Sequence, residues 1–260
     1  MHNMKKIKRK GISTSIIRAN IDLLNFLPYA DLYEFTFFKP EETEILKSFI
    51  LERKKPFGVH LPFVFRYAQL HPQPTTLDDK LRKDTYNVNI KSALYAKELG
   101  AEYIVLHFPT AKQKEPWRKN VSLVEEVLSH FEELKNIIEV RIENVYMNDD
   151  FHSAFDYLYI LKEIGCTMCV DVGHLLLDSE IYEFNPVNFI EVLSDYISEF
   201  HIYYADMETY TKCHHAPWGD SEKFRELLRV IKDFNVDLVI EPSNDCPERL
   251  QELIAFWEGI

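Results

Sequence analysis

Short runs of β-branched and aromatic residues alternate with helical patterns along the whole chain, and this alternation limits the fold more than any other feature. The runs that read as strands are Ile12 to Ile17, Leu32 to Phe38, Pro56 to Leu61, Tyr103 to Phe108, Glu139 to Val145, Thr167 to Val172, Glu199 to Tyr204 and Asp237 to Ile240. Between them apolar residues recur at the i, i+3, i+4 spacing of an amphipathic helix, as in Leu46, Phe49, Ile50 and in Val121, Val124, Val127, Leu128, Phe131. Pro40-Glu41-Glu42, Pro186 and Asp220-Ser221-Glu222 are suited to helix starts, where proline fits the first turn and acids meet the positive end of the dipole. Eight such βα repeats in 260 residues predict a (β/α)8 TIM barrel. No linker, internal repeat or low-complexity tract interrupts them, so residues 1–260 are taken as one domain. A doubly wound open sheet is the competing fold, and it lacks its Gly-rich first turn here.

Composition removes several function classes. The formal charge of −12 opposes binding of nucleic acid or anionic membrane through a broad positive field, though not through a local basic groove. No run approaches the ~18–20 apolar residues needed to cross a bilayer, and the basic stretch Lys5-Lys6-Ile7-Lys8-Arg9-Lys10 is followed by no apolar signal core. A cytoplasmic location is the expectation. No GxGxxG, GxxxxGK[ST] or GxSxG motif occurs, which weakens dinucleotide, P-loop and hydrolase readings. The cysteines Cys166, Cys169, Cys213 and Cys246 are too few and scattered for a disulfide scaffold and are expected to be reduced. Cys166-Thr167-Met168-Cys169 has CxxC spacing but runs into a strand, where residues three apart face opposite sides. The segment from Val64 to Lys83 is long and polar, and in a barrel it lies over the catalytic face as a lid or a solvated insert.

In a parallel barrel, chemistry gathers at the C-terminal ends of the strands. Strand three ends in Val59-His60-Leu61-Pro62, four in Leu106-His107-Phe108-Pro109, five in Ile142-Glu143-Asn144 and six in Val170-Asp171-Val172-Gly173-His174. Strand seven contains Phe200-His201-Ile202, and eight ends in Ile240-Glu241-Pro242. Alternation puts Glu139, Arg141 and Glu143 on one face, and likewise turns Asp171 and Glu241 inward while Val170, Val172, Leu238 and Ile240 face the helices. Carboxylates aimed at a barrel axis are costly unless paired or bound to a cation, so Glu143, Asp171, His201 and Glu241 together predict a divalent metal site. Singly, each also fits a capped or salt-bridged residue. Arg141 lies deeper and is expected to pair with Glu139 or another buried acid. Trp117 and Trp218 suit packing under loops, His214 beside His215 reads as a loop residue, and His71, His130 and His152 carry no assigned partner.

These motifs, with His215-Ala216-Pro217-Trp218-Gly219, resemble the xylose isomerase-like barrel superfamily over nearly the whole chain. That superfamily includes sugar isomerases and epimerases and the endonuclease IV-type apurinic endonucleases. The resemblance implies that Glu143, Asp171, His201 and Glu241 hold one divalent ion, of manganese, magnesium, zinc or cobalt, and that Glu143 and Glu241 act as acid and base on opposite sides of a sugar carbon. His174 would then contact a substrate oxygen. In the endonuclease branch His60 and His107 would serve a further zinc and His174 and His215 a third. Cys213 stands where that branch has an aspartate, and its Gly-x-Gly reads Gly219-Asp220-Ser221 here. The function implied is proton transfer next to a carbonyl of a small sugar or sugar derivative, with a dehydratase as a variant and cleavage of abasic DNA as the alternative. The partner expected is a carbohydrate rather than nucleic acid or membrane. Substrate identity and oligomeric state are not written in the motifs.

Overall fold

All eight expected strands form, and they close on themselves. The computed structural model describes residues 8–65, 72–243 and 246–260. The strands are β1 (Lys10–Ser13), β2 (Leu32–Phe35), β3 (Phe57–His60), β4 (Tyr103–Phe108), β5 (Glu139–Asn144), β6 (Thr167–Asp171), β7 (Ile197–Ile202) and β8 (Asp237–Ile240). They pair in parallel in sequence order, and β8 returns to β1. The helices that cover them are α1 (Thr43–Arg53), α2 (Asp79–Leu99), α3 (Val121–Ile137), α4 (Ala154–Ile164), α5 (Val172–Ile181), α6 (Pro186–Leu193), α7 (Met207–Cys213), α8 (Glu222–Ile231) and α9 (Leu250–Glu258). This is the (β/α)8 TIM barrel anticipated from the alternation, with no edge strand left open.

Strands β1 and β2 stop three or more residues short of their apolar runs. Thr14–Ile17 turn into a 3-10 helix because the Ser13 hydroxyl accepts from Ser15 N and Arg18 closes the turn in the left-handed region at φ 53°. Strand β2 ends at Phe35 because Thr36 N donates to Thr14 Oγ1 (2.9 Å) rather than to a ladder partner. Two 3-10 turns, Thr14–Ile17 and Ile21–Phe26, therefore stand between β1 and β2 where other units place an α-helix.

Strand alternation separates two apolar regions. Val140, Ile142, Val170, Leu238 and Ile240 join the main core beneath the helices, whereas Leu32, Tyr103, Val105, Cys169 and Val239 form a small cluster inside the barrel. Gly58 makes room for the largest of these. A Cβ on Gly58 would lie 2.2 Å from Tyr103 Cζ.

The expectation of four reduced cysteines is corrected. Cys213 and Cys246 form a disulfide with Cα atoms 5.8 Å apart, while Cys166 and Cys169 are free and buried. The two bonded residues are 33 apart in sequence and meet because the parallel pairing of β7 with β8 sets the segments that follow them side by side. The long polar segment is also shorter than read: Asp78 caps α2 by accepting from Leu81 N, so Asp79 to Lys83 are helical. Thr75 anchors the preceding stretch through Gln113 (2.6 Å) and Thr110 (3.0 Å) in the β4–α3 connection. Arg66, Tyr67, Gln69 and His71 lie outside the described residues. Among the described residues no helix is long and apolar enough to cross a membrane.

Substituting Gly58→Ala should force the Tyr103 ring aside and lower stability by about 1–3 kcal/mol. Urea unfolding measures this, and a parent-like midpoint would show that the ring relocates freely.

Candidate metal centre

Adjacent strands bring the site together through their register. His107 on β4 pairs with Glu143 on β5, and Asp171 on β6 pairs with His201 on β7. Glu241 follows β8 directly, and its amide donates to Ile202 O (3.2 Å). As a result Glu143, Asp171, His201 and Glu241 each place a ligand-type atom within 4.8 Å of the others, and all four are buried.

Each member is fixed by a local reason. Asp171 is the N-cap of α5: its Oδ1 accepts from His174 N at 2.7 Å, and the Asn144 side chain brackets its backbone at both N (2.8 Å) and O (3.0 Å). Glu143 lies between two histidines, with His60 Nε2 2.6 Å from Oε2 and His107 Nε2 3.2 Å from Oε1. Glu241 Oε1 accepts from the Ser13 hydroxyl at 3.1 Å. His201 Nε2 faces Glu34 Oε1 at 3.1 Å, and its Nδ1 lies 2.8 Å from Glu241 Oε2.

Charge is out of balance here. Burial disfavours ionisation of Glu143, yet His107 and His60 hold its carboxyl well below the usual range. Burial is likewise outweighed at Glu241, which His201 and His60 bring down to about 2. Asp171 goes the other way: burial and the neighbouring Glu143 and Glu241 push its carboxyl well above its ordinary value. His60 gains a proton readily, for burial is outweighed by Glu143, Glu241 and Glu34 and its pKa stands at about 10.

Two buried atoms of the quartet, Asp171 Oδ2 and His201 Nδ1, make no hydrogen bond among the described residues, so the 2.8 Å contact of Nδ1 with Glu241 lacks the alignment of one. Orphaned acceptors facing a set of carboxylates suit a cation. Three carboxylates and an imidazole are a donor set that Mn²⁺, Mg²⁺, Zn²⁺ or Co²⁺ accepts. A second group, His60, His107 and Glu143, also has its ligand-type atoms within 4.8 Å, with Glu143 shared between the two.

The remaining sequence candidates divide. His174 and His215 face the same cleft, which has a volume of about 220 Å³ and includes His60, His107, His214 and Glu241 in its wall. His174 Nδ1 lies 2.9 Å from Asn144 O. His215 stacks on Tyr203 with centroids 4.0 Å apart, and Tyr203 fits there because Gly173 has no side chain: a Cβ would be 2.0 Å from the ring. Cys213, two residues before His215, is in the disulfide. Away from the cleft, His130 stacks on Tyr86 (4.0 Å), His152 on Tyr182 (3.7 Å), Trp117 packs against Phe108 (5.7 Å) and Trp218 against Phe224 (5.1 Å).

Arg141 pairs as expected, and with more acids than Glu139. Its Nη1 reaches Glu199 (3.0 Å) and Asp237 (2.7 Å), its Nε reaches Glu139 (3.0 Å), and its guanidinium lies 3.4 Å from the Tyr103 ring centre. Glu34 lies in the middle of its apolar run and Glu199 at the N-terminal end of its own, so neither stands among the strand C-termini where the sequence places the chemistry. The available signal was a lone acid amid Leu32-Tyr33-Glu34-Phe35 and inward parity with His201 for Glu199.

The fold and its mouth define the class as a parallel eight-stranded barrel with acids and imidazoles gathered at the strand C-termini. A family model described as the xylose isomerase-like TIM barrel matches residues 27–259, and the chain belongs to that family. No curated protein matches it in sequence. Among solved structures it is similar to a D-tagatose 3-epimerase-like protein, at 19% identity and TM-score 0.64 with 95% of this chain and 96% of the other covered. It is similar to 3-keto-D-glucoside 4-epimerase from E. coli at 13% identity and TM-score 0.66, with coverage of 98% and 100%. Endonuclease IV from Thermus thermophilus aligns at 14% identity and TM-score 0.61, covering 97% and 100%. At these identities the likeness is one of fold.

Removing the buried cation should be costly. Arg141→Met leaves Glu199 without an ionic partner from the arginine and is expected to lose roughly 3–5 kcal/mol in urea unfolding, whereas an unchanged midpoint would mean that the network contributes no net stability.

Proposed function

We propose that the protein is a metal-dependent isomerase or epimerase acting on a small sugar or sugar derivative by proton transfer next to a carbonyl. The observation that carries this reading is that Glu143 and Glu241, from non-adjacent strands β5 and β8, bring their carboxylates within 4.8 Å of each other, with Glu241 also in the wall of a small cleft whose described lining contains no Lys or Arg. A phosphodiester backbone needs cations along its path, and a sugar does not.

In this reading Glu143, Asp171, His201 and Glu241 hold one divalent ion. That ion would supply Lewis acidity, lowering the cost of the negative charge that develops on substrate oxygens when the adjacent C–H proton leaves. The chain's own groups do the rest. One of the two glutamates accepts the proton from carbon at a carboxylate oxygen, and the other returns it from the opposite side, so configuration inverts. His60, hydrogen-bonded to Glu143 Oε2 at 2.6 Å, is placed to replenish a proton on that carboxylate. His174, in the wall of the same cleft, orients a substrate hydroxyl.

Elemental analysis of the purified protein should give about one divalent ion per chain, and screening with a sugar library should reveal turnover. Glu143→Gln and Glu241→Gln are each expected to lower kcat by about 10²–10⁴-fold while circular dichroism stays parental. Turnover retained in the folded double variant would refute the assignment.

The grouping of His60, His107 and Glu143 favours one second reading, a multinuclear zinc phosphodiesterase acting on abasic DNA. It predicts two or three zinc ions per chain and nicking of an abasic-site duplex at low salt. Intact duplex after incubation with zinc-loaded protein would exclude it.

A further inference from the structure

We infer that Glu34 is a positioning residue of this centre: its carboxylate receives the His201 Nε2–H and thereby turns the Nδ1 lone pair toward Glu143, Asp171 and Glu241. The inference deepens the proposed metal site and rests on it.

Glu34 is fully buried on β2, a strand that supplies none of the quartet. A carboxylate there is costly without a donor. Arg141, the buried cation nearest in kind, is committed to Glu139, Glu199 and Asp237. The ionic contact of Glu34 is instead His201, whose Nε2 hydrogen-bonds Oε2 at 3.3 Å and lies 3.1 Å from Oε1 without the alignment of a hydrogen bond. Glu199 is a weaker competitor for the same nitrogen at 3.9 Å.

A neutral imidazole has one N–H, and the hydrogen bond made by one nitrogen decides where the lone pair stands. With Nε2–H directed at Glu34, the lone pair is on Nδ1. That is the nitrogen buried beside Glu241 Oε2 at 2.8 Å and Glu143 Oε1 at 3.8 Å without an aligned hydrogen bond. The negative charge behind the ring also makes Nδ1 a stronger donor, as outer carboxylates do for metal-bound histidines generally. A carboxylate that merely filled space would need no such alignment with one ring nitrogen.

Cobalt(II) serves as the probe because it reports both affinity and ligand geometry. Metal-free parent, Glu34→Gln and Glu34→Leu proteins are titrated by calorimetry, their visible spectra are recorded when loaded, and thermal unfolding of the metal-free forms is measured alongside. Glu34→Gln keeps an acceptor but no charge and should bind about 10-fold more weakly. Glu34→Leu, which offers neither, should approach 100-fold and shift the visible bands. Parental affinity and spectrum in Glu34→Gln would overturn the inference even if the leucine variant does not fold, as would a change confined to the unfolding midpoint. A parent protein that takes up no cobalt would instead overturn the metal site itself and this inference with it.

Discussion

Negative charge held out of water at the barrel mouth is the constraint on which the other features depend. Glu34, Glu143, Asp171 and Glu241 are all buried around His201, and each would be expensive alone. The protein meets that cost through fixed donors: Ser13 to Glu241, His60 to Glu143, the α5 backbone to Asp171 and His201 to Glu34. These donors leave Asp171 Oδ2, His201 Nδ1 and Glu34 Oε1 without hydrogen bonds among the described residues, the first two within the quartet. Strand parity places these side chains inward, the register sets their heights, and the helices outside bury the opposite parity.

A different solution operates deeper in the barrel. There Arg141 lies among Glu139, Glu199 and Asp237 with the Tyr103 ring against it, and Arg9 reaches Asp237 from the N-terminal side at 2.7 Å. The two polar layers are joined where Tyr103 donates to Glu199 (2.8 Å) and Glu199 approaches His201. The interior is thus graded from a floor whose acids are paired with arginine to a mouth whose acids are met by imidazoles and hydroxyls. The cation site proposed above would draw on that gradient more than on any one residue.

The fold was legible because alternation is a local signal repeated along the chain: each strand announces itself, and closure follows from number and order. The early ends of β1 and β2 were not, because a serine capping its own turn and a threonine intercepting Thr36 N do not alter an apolar run. Glu143, Asp171, His201 and Glu241 stood out at strand ends, and the structure brings them together. Glu34 did not, since its importance is a contact with a residue 167 positions away. The Cys213–Cys246 disulfide was hidden for the same reason, as the segments that follow β7 and β8 meet only once those two strands pair.

Asp171 joins two tasks in one side chain. One oxygen starts helix α5 by accepting from His174 N, and the other faces the quartet. The first task needs only an acceptor of the right reach, which asparagine also provides; the second needs charge. A barrel of this design can therefore become electrically inert at this position while its architecture persists, so an intact fold is no record of a retained chemistry.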